Sequence, residues 1–461
     1  MAIGVEGLVY QYLQIQNKNG RKLDLSNSVI ETDYYEDILQ PFVTLKLKIT
    51  STYNIVSELP IRSGELVALK YSTPSGTFTL GDLDGNGDIV EESGEMRVYK
   101  VSGLDAERQS AFFTLHLISP EYFADRTERC RGKFQYQTID KHVEHILKKV
   151  IKTKKKCNID TVINSYSFQG NNRKPFHTLQ WLGPKSISST RSGSKGEEGT
   201  LQGEAYGVAG YLCFENADGF NYKSLESLVA ETNVLNGDAD KKDVQHGTYS
   251  WTGLGGIEQN KPENNVRILN YFLQRNINLK QALTLGVYAN QTTFINLQNR
   301  EVTVYKYNLA EELTEKLGGE GDIDVPVEQI SRFMVKTSDH GFMGVGKKGI
   351  EESGRDRTDD AKSYARYNLL FTQALFIQVP CNTKLKVGDI IRCDFPRLRE
   401  GKADEVDKSA SGKYLIKELC HHFMIAKNVT SMKLIRDSYG FSEPKIPTYI
   451  VMYILYTEAK L

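Results

Sequence analysis

The chain has 461 residues, enough for several hydrophobic cores, so two to four domains are expected. Its 58 lysines and arginines balance 58 aspartates and glutamates, and zero net charge gives no support to a global nucleic-acid or membrane-surface role. The 25 tyrosines and 19 phenylalanines, against 2 tryptophans, suit strand-rich and interface-rich architecture.

In chain order, the first 120 residues read as an antiparallel β domain. Short alternating runs cover Phe42 to Ile49 (FVTLKLKI), Leu66 to Tyr71, Glu95 to Val101 and Phe112 to Ile118. Gly64-Glu65 and Ser75-Gly76 supply turns, and Ser75 to Leu80 reads as a further strand. Half-apolar alternation implies one packed and one exposed face, and the exposed face could line a channel. After Pro120, Tyr136 to Val150 carries Ile139, Val143, Ile146, Leu147 and Val150 at helical spacing. The basic run KKVIKTKKKC at its end reads as a solvated helix terminus, with an acidic partner surface as the alternative. Lys174 to Gly183 reads as a second helix, and Ser186 to Thr200 as a polar loop. Tyr211 to Glu215 is a strand, and Phe220 to Leu228 is expected to open a helix or turn. Glu231 to Tyr249 is polar and irregular, and Asn265 to Gly286 mixes a strand with an amphipathic piece. A second β-rich set comes next: Gly286 to Leu297, Arg300 to Tyr307, Ala374 to Val379, Asp389 to Asp394, Gly412 to Phe423 and Val429 to Arg436. Leu313 to Asp359 shows little periodicity and reads as an excursion from it. The eight residues YIVMYILY near the end are too few for a membrane helix and fit a strand or docking tail. No segment is expected to span a membrane, and MAIGVEGLVYQYLQIQ lacks the pattern of an export signal. The six scattered cysteines, without a CxxC pair, read as free thiols in a reducing compartment.

Three phrases carry a resemblance. They are Lys386 to Pro396 (KVGDIIRCDFP), Gly412 to Gly440 (GKYLIKELCHHFMIAKNVTSMKLIRDSYG) and Gly210 to Leu228 (GYLCFENADGFNYKSLESL). The chain resembles the baseplate hub proteins of T4-like contractile phages and their cyanophage and marine relatives. The resemblance implies a mainly β fold with α/β portions: two barrel-like tube domains plus an intervening mixed domain. Residues 1–120 would form the first tube domain, 121–274 the intervening domain, 275–440 the second tube domain and 441–461 a tail. It also implies a homotrimeric, pseudo-sixfold ring in the virion's tail baseplate, assembled in the host cytoplasm. Its partners would be a central spike protein, in this family often lysozyme-bearing, tail tube or tube-initiator proteins, the tape-measure protein and other baseplate proteins. DNA would pass transiently through the channel. A glycan- or host-binding tail module and a peptidoglycan-cleaving enzyme are the competing classes.

The strand phrases have a period-two reading of their own. Ile391, Cys393 and Phe395 alternate against Arg392 and Asp394. The three segments Lys386 to Pro396, Gly412 to Phe423 and Val429 to Arg436 are expected to be adjacent antiparallel strands. Ile391, Leu415, Leu419, Met432 and Leu434 should face the core, with Lys433 on the opposite face at the lumen or subunit boundary. Lys417 and Arg436 share the apolar parity, so they reach a boundary only at a bulge or strand end.

Asp82 to Glu92 (DLDGNGDIVEE) places Asp82, Asp84, Asn86 and Asp88 like the first ligands of a calcium loop, with Gly87 at the sharp turn. Position twelve is Ser93 rather than glutamate and no helix precedes it, which favours an acidic turn between strands. His421 and His422 should point to opposite faces of a strand, so they do not chelate one metal together. His142 and His145 could share a helix face, but no cysteine or carboxylate set completes a site. GxSxG, HExxH and GxxxxGK[ST] are absent, and GFMGVGKK (341–348) has no serine or threonine after its Lys347, as a phosphate loop requires. Carboxylate pairs such as Glu91-Glu92 and Glu351-Glu352 carry no glycosidase signal by proximity alone. No cofactor and no catalytic residue are expected.

Overall fold

The computed structural model describes residues 9–51, 59, 61–73, 76–91, 93–107, 110–188, 210–229, 247–251, 266–275, 278–296, 300–309, 327–338, 359–396, 407, 409–424 and 428–438. The fold is mainly β. Eight strands form the N-terminal part: β1 Val9–Gln16, β2 Lys22–Asp24, β3 Val29–Asp37, β4 Thr44–Ser51, β5 Leu66–Thr73, β6 Gly76–Leu80, β7 Met96–Glu107 and β8 Ser110–Ile118. The middle carries β9 Lys133–Thr138, β10 Cys157–Ile159, β11 Ser165–Gln169, β12 Tyr211–Asn216 and β13 Gly219–Ser224. Helices Glu121–Thr127, Ile139–His145, Pro175–Leu182 and Leu225–Val229 lie among them. Then come β14 Thr248–Ser250, β15 Asn270–Arg275, helix Leu279–Leu285, β16 Ala289–Asn296, β17 Glu301–Asn308, β18 Arg332–Ser338 and helix Asp359–Leu369. The last strands are β19 Gln373–Pro380, β20 Ile390–Asp394, β21 Gly412–Met424 and β22 Asn428–Arg436.

Among the described residues, fourteen strands share one sheet, in the order β15-β19-β22-β21-β3-β4-β8-β7-β5-β1-β2, with β6 on β5, β20 on β21 and β14 on β20. The N-terminal and C-terminal β sets are therefore continuous. The seam is β3 against β21, antiparallel, with seven residue pairs from Glu418↔Asp37 to Met424↔Glu31. β21 is long enough to change neighbours. Its first residues pair with β20 and its later ones with β3, while β22 accompanies it along both stretches. Between the two stretches, at Lys417, a bulge shifts the register against β22. An extra residue flips the parity of the strand beyond it. Tyr414, Leu415, Ile416 and Lys417 are all buried, and strict alternation resumes only at Glu418.

Alternation explains the strands individually. In β4, Leu45, Leu47 and Ile49 are buried and Lys46 and Lys48 exposed. The N-terminal core gathers Leu13, Leu47, Tyr71, Phe78 and Leu115, and Phe423 of β21 packs within it. The C-terminal core gathers Tyr249, Leu375, Ile391, Leu415 and Leu434, and Ile38 from the N-terminal part packs within that. Each half thus donates an apolar side chain to the other's core. A third core, in the middle segment, buries Ile139, His142, Val143, Ile146 and Leu147 at helical spacing against Phe134, Phe168 and Tyr222.

Several expectations shift. Tyr136 to Thr138 belongs to β9, and the helix begins at Ile139. Phe220 to Ser224 is strand before the helix Leu225–Val229 begins, because Phe220 and Tyr222 pair with Glu215 and Cys213. The excursion Leu313 to Asp359 contains β18, parallel to β16. The division at 274/275 runs through β15, and β14 and β15 pair with β20 and β19 of the large sheet. The loop 189–200, most of 231–249, the phrase 341–348, Glu351-Glu352 and the tail 441–461 lie outside the described residues.

Glu36 sits where three parts of the chain meet. Its carboxyl accepts hydrogen bonds from Tyr34 Oη (2.9 Å), the Ala217 N–H (2.6 Å) and the Val387 N–H (2.9 Å). Burial pushes it up to about 7, against the pull of these donors. A carboxyl raised in the folded state makes folding favour the protonated form. That contribution is complete below about 4.5 and is lost as pH rises through about 7. Its upper size is on the order of 3 kcal/mol. Chemical denaturation at pH 5 and pH 8 should show lower stability at pH 8. Glu36→Gln should flatten that difference, leaving the smaller slope from Asp389, which burial raises to about 6. An unchanged slope in the variant would refute the assignment.

Candidate functional site: the polar face of the large sheet

The two cores seal one face of the sheet, and the register builds the other face in transverse rows. One row runs Asn270, Gln378, Ser431, Cys420, Tyr35 and Thr44 across β15, β19, β22, β21, β3 and β4. A second runs Phe272, Phe376, Lys433, Glu418 and Asp37. A third runs His422, Asp33, Lys46, His116 and Lys100 as far as β7. The first two rows border a hollow of about 620 Å³ whose lining includes Tyr35, Lys46, Phe272, Phe376, Glu418 and Lys433. The charges pair locally. Lys433 Nζ is 3.6 Å from Glu418 and lies over the Phe376 ring at 5.2 Å, and Lys48 Nζ is 3.7 Å from Glu31. His116 is lowered by partial burial and by the neighbouring Lys100 and Lys46.

The sequence-derived residues divide cleanly. Ile391, Leu415, Leu419, Met432 and Leu434 are all buried in the C-terminal core. β20, β21 and β22 are adjacent and antiparallel. Lys433 is on the polar face, half-buried. Lys417 sits in the bulge, buried, with Nζ on Glu418 and 3.4 Å from Asp37. Arg436 is not a boundary residue. It is fully buried by its own chain, because its guanidinium donates to Gln373 Oε1 (2.7 Å from Nη2, 3.0 Å from Nε) and to the Ser411 carbonyl (2.9 Å). The Ser409 carbonyl accepts a further bond, and the Tyr414 ring lies 4.6 Å beneath. A planar fork can satisfy several carbonyls at once, which is how a strand-end arginine becomes core.

The acidic loop joins β6 to β7. Asp84 Oδ1 accepts the N–H groups of Asn86 (2.9 Å) and Asp88 (2.7 Å), with Gly87 at φ 72°. Lys22 Nζ is 2.8 Å from Asp88 Oδ1 and 2.9 Å from the Asn86 carbonyl, so an ammonium already sits against this acidic turn. Asp82 closes the turn through its backbone, with its N–H on Ser93 Oγ (2.8 Å). His142 is a core histidine, 2.7 Å from the Tyr166 carbonyl and 3.0 Å from Gln137 Nε2, while His145 is exposed. His421 is buried among Tyr34, Phe78 and Phe423, and burial lowers it to about 3, whereas His422 faces the polar side.

Sequence reasoning passed over Glu31, Asp33, His116 and Glu418. The available signal was charge alternation in VIETDYYED set against that in FVTLKLKI, opposite in sign and antiparallel in register.

Adjacent residues of β22 give a direct test of the two faces. Leu434 pairs with Leu375 and Ile416 and is inaccessible to solvent. Leu434→Ala should cost about 2–5 kcal/mol, and Leu434→Asp should abolish folding. Lys433→Ser should change stability by no more than about 1 kcal/mol, since it removes one solvent-reached ion pair. Thermal melting that ranked the two positions the other way would reverse the faces.

No protein-family model matches the chain, and no curated protein matches it. Solved structures are similar to it over nearly its whole length. A tail protein from Neisseria meningitidis MC58 has TM-score 0.46 and 10% identity, with 94% of this chain and 98% of that chain covered. The 43 kDa tail protein of prophage MuSo2 from Shewanella oneidensis has TM-score 0.48 and 10% identity, covering 94% and 100%. Prophage tail protein gp18 from Listeria monocytogenes EGD-e has TM-score 0.45 and 9% identity, covering 98% and 100%.

Proposed function

We propose that this chain is a structural baseplate hub of a contractile phage tail, with no catalytic residue of its own. The observation that carries the reading is the wall itself. One sheet runs through both β sets, sealed on one side by interlocked cores and polar and mixed in sign on the other. Such a wall can line a channel past which a polyanion moves, because locally paired charges give no continuous row of phosphate-binding cations. The phrases around Lys386 to Pro396 and Gly412 to Gly440 supply the family resemblance. In this reading three copies form a pseudo-sixfold ring that joins the tail tube to the central spike. The tape-measure protein and then DNA pass through it, and assembly takes place in the host cytoplasm.

An exposed apolar surface supports an assembling role. The small sheet β17-β16-β18 presents Val302, Val304, Phe333 and Val335, between 51% and 70% exposed. Val304 and Val335 flank Thr293 of β16 in one row, and exposed apolar side chains gathered on a sheet face mark a protein contact. A glycan-binding module is the second reading, favoured by the Phe272 and Phe376 rings beside polar groups in the hollow.

Mass measurement with particle imaging at micromolar concentration should find a three-subunit ring, alone or on addition of the spike. A monomer under both conditions would sink the hub reading. Pure protein should leave a cell-wall zymogram clear of lysis; a lysis band abolished by one carboxylate substitution would replace the hub with a hydrolase. Glycan affinity lost on Phe376→Ala, in a monomer, would favour the second reading.

A further inference from the structure

We propose that Glu31, Asp33 and His422 form a divalent transition-metal site that clips the β3–β21 seam. The seam's register places His422 directly opposite Asp33, and Glu31 opposite Met424, so all three side chains stand on the polar face. One ligand atom from each lies within 4.8 Å of the other two. His422 Nδ1 is in contact with Asp33 Oδ1, and its Nε2 is 3.5 Å from Glu31 Oε1.

The carboxylates are oriented from behind. Asp33 turns Oδ1 to the imidazole while Oδ2 accepts a hydrogen bond from Tyr35 Oη (3.2 Å). Glu31 turns Oε1 to it while Oε2 faces Lys48 Nζ at 3.7 Å. Outer partners of this kind fix ligand direction in metal sites. The neighbouring Lys46 is drawn aside, with its ammonium 5.0 Å from the centroid of the Tyr35 ring. Side-chain exposures of 15% to 26% keep the group partly desolvated yet open to an ion and its waters.

With the ring turned so that a single nitrogen faces both carboxylates, one imidazole nitrogen and two carboxylate oxygens, with open positions for water, suit Zn²⁺, Co²⁺ or Mn²⁺. Ca²⁺ asks for six to eight oxygens, and three protein ligands that include a nitrogen do not supply them. Two ligands come from the N-terminal part of the chain and one from the C-terminal part, so bound metal would hold the two together. Cation binding would require neutral His422. An imidazolium held between the two carboxylates is the competing state, and it needs no metal.

Titration of the metal-free full chain with Co²⁺ and Zn²⁺ near pH 7.5, tracked by Co²⁺ absorption, calorimetry and thermal melting, decides between them. We expect one ion per chain, a Co²⁺ spectrum with nitrogen–oxygen ligation, and a melting temperature that rises with Zn²⁺ and falls back with chelator. His422→Gln and Asp33→Asn should each weaken binding by at least about tenfold. Should either variant fold poorly, Glu31→Gln, the most exposed of the three ligands, provides the same comparison. No binding at about 100 μM Zn²⁺, or binding that all three variants retain, would overturn the site and leave a buttressed ion pair.

Discussion

The constraint on which the architecture depends is the pairing of Glu31–Asp37 with Glu418–Met424. These strands lie at opposite ends of the sequence, yet loop-closure entropy grows only with the logarithm of loop length. Seven residue pairs, the mutual exchange of Phe423 and Ile38 between cores, and the three-way acceptor Glu36 offset that cost together. Removing the seam would leave β3 and β21 as open edges with unpaired backbone groups, the condition sheets most avoid. The two β sets are consequently one mechanical unit.

The middle segment is held to that unit by charge as well as packing. Lys155 Nζ is 2.7 Å from Glu121 and 2.6 Å from Glu215, and Glu215 also accepts the Val43 N–H at 3.3 Å. Burial works against the ammonium, but the two carboxylates outweigh it and hold Lys155 above the ordinary lysine range. A buried triad of this kind adds little net stability over an apolar substitute, while losing one member costs about 3–5 kcal/mol. Its value lies in direction: it fixes how Lys155, the helix at Glu121 and β12 approach the start of β4.

The sequence makes visible those strands whose apolar residues alternate. FVTLKLKI and the phrases of β20 to β22 announce themselves, and so do the opposite faces of His421 and His422. β3 is the informative miss. VIETDYYED carries four acidic residues in nine, so its hydrophobic signal is weak, and two of its inward positions are Thr32 and Glu36. Their burial is acceptable only because donors from remote segments satisfy Glu36, and Thr32 Oγ1 bonds Tyr10 Oη at 2.7 Å. Those donors are invisible along the chain. Lys417 and Arg436 show the same limit. Parity placed them inward, but the sequence contains no sign of the bulge that admits one or of the carbonyls that accept the other.

Register also decides the electrostatics of the polar face. Glu31 stands opposite Lys48 and Glu418 opposite Lys433, with their charges 3.7 Å and 3.6 Å apart, and Asp33 stands opposite Lys46, so opposite signs face each other across the strand pairs. At physiological salt the Debye length is about 8 Å, longer than these separations, so a distant polyanion meets little net field. The chain's balance of 58 basic and 58 acidic residues is thus reproduced on this one face by cross-strand pairing rather than by averaging over the surface. Where the pairing ends, on β7, Lys100 stands opposite His116 rather than a carboxylate, and the face becomes locally basic through Lys100 alone. Under the proposed role the part of the wall nearest β7 is therefore where contact with phosphate would be strongest, and the seam at β3 and β21 where it would be weakest.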